Sequence, residues 1–159
     1  MEYQVHIQHV ASQTTGVVRR RTRGSELAQV IPQACGEVWE FFRTSTLPRP
    51  GRHLAVYLDC EINIEVGVEA AQPFVGDDRV FCSQTPAGTV ATTAHIGPYN
   101  RLHEAHTAVL KWCADHGRAL AGPSWEVYGH WTDDPAQLRT DVFYLLQPAG
   151  DAGPGERPA

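Results

Sequence analysis

The sequence predicts an α+β fold in which a strand-helix-strand-strand unit is used twice. The result is an eight-stranded antiparallel sheet with two helices on one face and a central cleft on a pseudo-twofold axis. Three observations point there. The predicted elements run ββαββ and then ββαββ again. Residues of the two halves match at a fixed offset. The 159 residues, 42% hydrophobic and 19% charged, suit one core and are too few for two ordinary domains.

Strands are predicted at Tyr3–His9, Gly16–Arg23, Leu54–Leu58, Ile62–Val68, Arg79–Ser83, Val90–His95, Trp125–Gly129 and Asp141–Leu146, each rich in β-branched or aromatic residues. The stretch Glu26–Phe42 carries Leu27, Val30, Ile31, Ala34, Val38, Phe41 and Phe42 at three- and four-residue spacing, the stripe of an amphipathic helix. Pro32 interrupts that stripe and moves the expected helix start toward itself. A second stripe over Pro98–His116 holds Leu102, Ala105, Val109, Leu110, Trp112 and Cys113, opening on Gly97-Pro98 and closing at Gly117.

Tyr57 and Tyr128 give the repeat offset of 71 (128 − 57). The same offset pairs Ile31 with Leu102, Ala34 with Ala105, Val38 with Val109, Trp39 with Leu110, Phe41 with Trp112, Gly51 with Gly122 and Val56 with Val127. The final strands pair at 78, Ile64 with Val142 and Val66 with Tyr144. The domain is therefore expected over residues 1–147, with halves at about 1–72 and 73–147. The Pro/Gly-rich stretch Pro148–Ala159 is expected to be a disordered tail.

Composition excludes several function classes. A net charge of −5 and a pI near 5.9 lack the basic footprint of duplex DNA binding. Arg19, Arg20, Arg21 and Arg23 form a basic run, but a strand splits such charges between its faces, which reads as a solvated edge. No apolar run approaches a membrane span and the N-terminus carries no leader pattern, so a cytoplasmic location is expected, with no membrane partner. Cys35, Cys60, Cys82 and Cys113 form no CxxC pair and read as small, mostly buried hydrophobes. No phosphate loop, serine elbow or papain-like cysteine motif is present. His103 and His106 are three apart on the second helix, a spacing able to share a metal, yet no third ligand or HExxH motif accompanies them; no metal and no cofactor are expected.

Candidate chemistry centres on the strand Trp125–Gly129. Side chains alternate, so Glu126 and Tyr128 share one face and Trp125 and Val127 the other. With the helices expected on the Trp125 side, Glu126, Tyr128 and Tyr57 would line a cleft on the opposite side. A carboxylate among aromatic rings suits a cationic aromatic ligand or general acid/base work. The bland alternative is a partly exposed strand glutamate beside two sheet tyrosines. His95, at the junction of a strand and the second helix, reads as a proton carrier at the cleft edge or as a histidine bonded to loop backbone. Trp131 follows the glutamate strand and rims the cleft or packs in a turn, and Trp39 and Tyr99 complete the ligand-binding candidates.

The segments ATTAHIGPYNRLHEAHTAVLKWCADHG, GPSWEVYGHW and DDPAQLRTDVFYLL, preceded by a diverged first copy, resemble the GyrI-like small-molecule-binding domain over about Tyr3 to Leu146. That domain also serves as the effector-binding part of AraC-type and MerR-type multidrug regulators. The resemblance implies the tandem fold, a hydrophobic or cationic aromatic small molecule as partner, and a glutamate at Glu126 contacting the ligand's positive charge. Family members include hydrolases that open the cyclopropane ring of DNA-alkylating natural products. In that reading Glu126, assisted by Tyr128, Tyr57 or His95, is catalytic. Other members bind gyrase, so a protein partner is a third reading, and a haem-binding family shares the fold more distantly. No helix-turn-helix segment precedes the domain, so direct DNA binding is not expected, and Ala55 stands where the second copy has Glu126.

Overall fold

The computed structural model describes residues 3–59, 63–130 and 132–148. Trp131, Cys60, the expected strand start at Ile62 and all of the expected tail except Pro148 lie outside them. Among the described residues eight strands and two α-helices follow in the order β1 (His6–Val10), β2 (Thr14–Arg21), α1 (Leu27–Arg43), β3 (His53–Tyr57), β4 (Asn63–Glu69), β5 (Phe81–Gln84), β6 (Gly88–Ile96), α2 (Leu102–Asp115), β7 (Leu120–Tyr128) and β8 (Arg139–Leu146). All eight strands form one antiparallel sheet in the order β1-β6-β8-β7-β3-β4-β2-β5.

The helices end and begin for local reasons. Gly117, at φ +64, closes α2 while Arg118 N–H donates to Cys113 O and Gly117 N–H to Ala114 O, the paired bonds of a Schellman cap. The late start expected for α1 is corrected: the helix begins at Leu27 with Pro32 inside it. Pro32 removes one N–H donor and leaves the Ala28 carbonyl without its helical partner, but Ala28 is exposed and that carbonyl reaches water. Replacing Pro32 by Ala is expected to stabilise the protein by about 1 to 3 kcal/mol, since the missing helical bond is restored. A thermal melt checks this, and an unchanged or lower Tm contradicts it.

Connectivity forces the sheet to curl. Three residues join β1 to β2, and three join β5 to β6, although β1 and β5 are the two edges. In a flat sheet β1 and β2 would lie about 29 Å apart, at roughly 4.8 Å per strand. The three-residue link reaches about 14 Å. The two links also bond to each other, Ser12 Oγ to Thr85 O at 2.9 Å and Gln13 N to Thr85 Oγ1 at 2.8 Å. The inner face of the curl is a core made by the sheet alone: Val17, Leu54, Val56, Val90, Trp125 and Val127 are buried there, with Trp125 stacked on Phe143 at 5.1 Å.

The outer face carries both helices. Ala34, Val38 and Phe42 of α1 pack on Val18, Ala55, Val66 and Val68. Ala105, Val109 and Cys113 of α2 pack on Ala91, Val142 and Leu146. This corrects the face assignment made from sequence: the helices cover the Glu126 side, and Trp125 and Val127 are covered by the curl of the sheet itself. Alternation tells which side chains share a face; here both faces are apolar, so it does not tell which layer covers each. The arginine run splits as its period requires. Arg19 pairs with buried Glu65 on the inner face at 2.9 Å, and Arg20 with Glu37 of α1 at 2.7 Å. Cys113 is buried while Cys35 and Cys82 are only half-buried.

The pseudo-twofold axis can be located to one residue pair. β3 and β7 are the central strands, and Ala55 pairs directly with Glu126. These two residues are also equivalent under the offset of 71, so the axis passes between them. The registers Ala55↔Val66 and Glu126↔Val142 make Val66 equivalent to Val142, an offset of 76 (142 − 66) for the last strands. The expected 78 is therefore two residues too long, a slip that alternation conceals because it preserves the face.

Candidate functional site

A cavity of about 1000 Å³ opens on the outer face between α1 and α2. Its walls obey the repeat. Ile31, Pro32 and Cys35 line it from α1, and their equivalents at 71 residues' distance, Leu102, His103 and His106, line it from α2. Its floor is formed by Tyr57 and Tyr128, also equivalent, with Glu126 on the axis between them. Ala55, the small residue opposite Glu126, and Val142 on its other flank offer the carboxylate no hydrogen bond, so its partners come from neighbouring rows and from the helix.

Glu126 is 5% exposed and fully partnered. Its Oε1 accepts from the Tyr57 hydroxyl at 3.0 Å and from the Tyr128 hydroxyl at 2.5 Å. Its Oε2 lies 2.5 Å from His106 Nε2, while His106 Nδ1 lies 2.7 Å from the Tyr144 hydroxyl. Among the described residues, no Lys or Arg pairs with it. A buried carboxylate on a cavity floor, held by phenols and one imidazole and, among the described residues, by no lysine or arginine, is a site able to face a cation or to exchange protons.

Burial, reinforced by the charge of Glu126, raises the pKa of Tyr57 and Tyr128 far above that of free tyrosine and pushes Tyr144 up to about 12. All three phenols therefore stay protonated, and Tyr57 and Tyr128 act as donors to the carboxylate. Burial also lowers the pKa of His53, which lines the cavity as the equivalent of Ser124. The Cys35 thiol is pushed up to about 12 by burial and so is not a ready nucleophile. The raised phenol pKa values carry a sign. Tyrosines in the unfolded chain ionise near pH 10, whereas these remain protonated when folded, so stability present below about pH 10 is lost as pH rises above it. Tyrosine absorbance followed between pH 9 and 12 alongside circular dichroism is expected to show these phenols ionising only as the fold is lost. Their ionisation in an intact fold contradicts that.

Of the residues singled out from sequence, Glu126, Tyr128, Tyr57 and Tyr99 meet in this cavity, Tyr99 edge-on to Tyr128 at 5.8 Å. His95 does not. It is 1% exposed and bonded to the Tyr3 hydroxyl at 2.8 Å and to Pro98 O at 3.0 Å, which ties the N-terminal segment to the loop entering α2. Trp39 does not line the cavity either; it lies 38% exposed with its ring 6.2 Å from that of His53. Trp131 falls outside the described residues. His106, Tyr144, His103, His53 and Cys35 were missed as lining residues. The repeat offers a signal for His106, since the offset that pairs Ala34 with Ala105 pairs Cys35 with it. Among the described residues no cluster of three or more His, Cys, Asp or Glu is arranged to hold a metal.

Residues 3–146 match the GyrI-like small molecule binding domain. The chain belongs to that family. None of the curated protein sequences matches it. Among solved structures this GyrI-like domain is similar to the EcmrR C-terminal domain, with a TM-score of 0.76 and 22% identity over 92% of this chain and 99% of that one. It is similar also to EcmrR in its DNA complex, with a TM-score of 0.73 and 23% identity, where 91% of this chain spans 57% of that one. A third is SAV2435 bound to tetraphenylphosphonium, with a TM-score of 0.70 and 11% identity over 92% of this chain and 94% of that one. At these identities the likeness is one of fold. Among the described residues no helix is long and apolar enough to cross a membrane.

Proposed function

We propose that this GyrI-like domain binds an amphipathic, aromatic organic cation in the cavity between α1 and α2, acting as a module that senses or sequesters such compounds. The observation that carries the reading is the Glu126 carboxylate, buried on the cavity floor and partnered by Tyr57, Tyr128 and His106. The cavity has the size that encloses a drug-like molecule, and its aromatic floor offers ring faces to a cation. The occupant of SAV2435, tetraphenylphosphonium, is a compound of this class and supports the assignment.

Hydrolysis of a reactive, cyclopropane-containing compound is the second reading. It is favoured by the same carboxylate lying in contact with an imidazole and two phenols, a set able to move protons. Incubating the protein with a panel of cationic dyes, tetraphenylphosphonium and one cyclopropane alkylator, and following bound and converted compound by mass spectrometry, separates the two. Saturable retention without product is the expected result, whereas turnover overturns the binding reading in favour of hydrolysis. Neither retention nor conversion overturns both and moves the weight to a protein partner.

A further inference from the structure

Resting on the cation-binding reading above, we infer that His106 is the proton-carrying counter-ion of Glu126 and that the cavity admits an organic cation in exchange for that proton. His106 bridges Glu126 Oε2 at 2.5 Å and the Tyr144 hydroxyl at 2.7 Å. With the imidazole neutral, Nε2–H donates to the carboxylate and Nδ1 accepts from Tyr144. With it protonated, both ring N–H groups donate. The Tyr144 hydroxyl oxygen then accepts from Nδ1–H. Both charge states of His106 are therefore fully partnered by the same heavy atoms.

The repeat supplies an independent observation. The equivalents of His106 and Glu126 in the first half are Cys35 and Ala55, so one half carries both the acid and the base, and the other carries neither. The two tyrosines, by contrast, are kept in both halves. An imidazole and a carboxylate that occur as a pair and in contact act as one unit, whose net charge is zero with His106 protonated and −1 with it neutral.

The other titratable groups around the pair do not take this role. Tyr57 of β3 and Tyr128 of β7 are phenols that stay protonated, as does Tyr144 of β8. Cys35 of α1 is a thiol, and Tyr99 lies at the α2 entrance. His53 of β3 and His103 of α2 line the cavity, but neither is bonded to Glu126 among the described residues. The exchange balances: one permanent cation enters, the His106 imidazolium releases one proton to solvent, and the cavity stays neutral with Glu126 facing the cation. Because each bound cation displaces one proton, uptake strengthens as pH rises wherever the exchange operates.

The test is calorimetric titration of the full chain with tetraphenylphosphonium chloride between pH 5.5 and 8.5, in buffer pairs of different ionisation enthalpy. This probe has no proton of its own, so every proton counted belongs to the protein. The expected result is release of up to one proton per cation, with a count that never rises toward the alkaline end. Affinity should drop by up to roughly tenfold per pH unit on the acid side. His106→Gln, which keeps an N–H for Glu126 but takes up no proton, is expected to abolish both effects, while each cation that binds His53→Gln or His103→Gln, at whatever affinity, still displaces its proton. Binding without proton release in the wild type, or proton release that persists in His106→Gln or vanishes in either other variant, overturns the inference and leaves cation binding standing. Absence of binding at every pH overturns the cation-binding reading and this one with it. The wild-type count and the two control variants decide the matter even where His106→Gln does not fold.

Discussion

Glu126→Gln is expected to weaken binding of a permanently charged aromatic cation by about 1.5 to 3 kcal/mol, roughly tenfold to 150-fold, with little change in melting temperature. The amide keeps the size of the side chain and one oxygen that accepts from Tyr57 and Tyr128, so the floor of the cavity keeps its shape. What disappears is the negative charge, which is worth more here than at a surface because Glu126 is buried and, among the described residues, no other acidic side chain lines the cavity. Calorimetry on wild type and variant gives the affinity ratio, and scanning calorimetry the stability. Equal affinities would mean that aromatic contact alone binds the ligand. Turnover by the wild type that is lost in the variant would identify the carboxylate as an acid or base instead.

Trp125→Ala is expected to cost about 3 to 5 kcal/mol of folding stability, whereas Trp39→Ala changes it by about 0.5 kcal/mol or less. Both residues are tryptophans, and burial separates them. Trp125 is 3% exposed and stacked on Phe143 inside the curl of the sheet, while Trp39 stands half in solvent on α1. The comparison tests the claim that the inner face is a core in its own right although no helix covers it. Urea denaturation of the two variants measures it, and a cost below about 1 kcal/mol for Trp125→Ala would mean that this face is loosely packed.

The elements were legible in the sequence because each carries its period: both helical stripes lie where α1 and α2 form, and the Gly97-Pro98 entry and Gly117 exit bracket α2. The pairing of Tyr57 with Tyr128 led to the central strands and to Glu126. The covering of each face was not legible, because Trp125 and Val127 look the same whether a helix or the curled sheet buries them. Nor was the ring of contacts around Glu126, which joins four elements: Tyr57 of β3, Tyr128 of β7, Tyr144 of β8 and His106 of α2. Such convergence depends on where α2 crosses the sheet, and helix periodicity gives a face but not a crossing position. His95 shows the opposite case, a polar residue at a promising junction whose two ring nitrogens are taken by Tyr3 and Pro98.

A crystal structure of the protein with tetraphenylphosphonium is expected to show the cation between α1 and α2, its phenyl rings against Tyr57 and Tyr128 and its positive centre facing the Glu126 carboxylate. Density for the cation elsewhere, with the cavity over Glu126 empty, would contradict it.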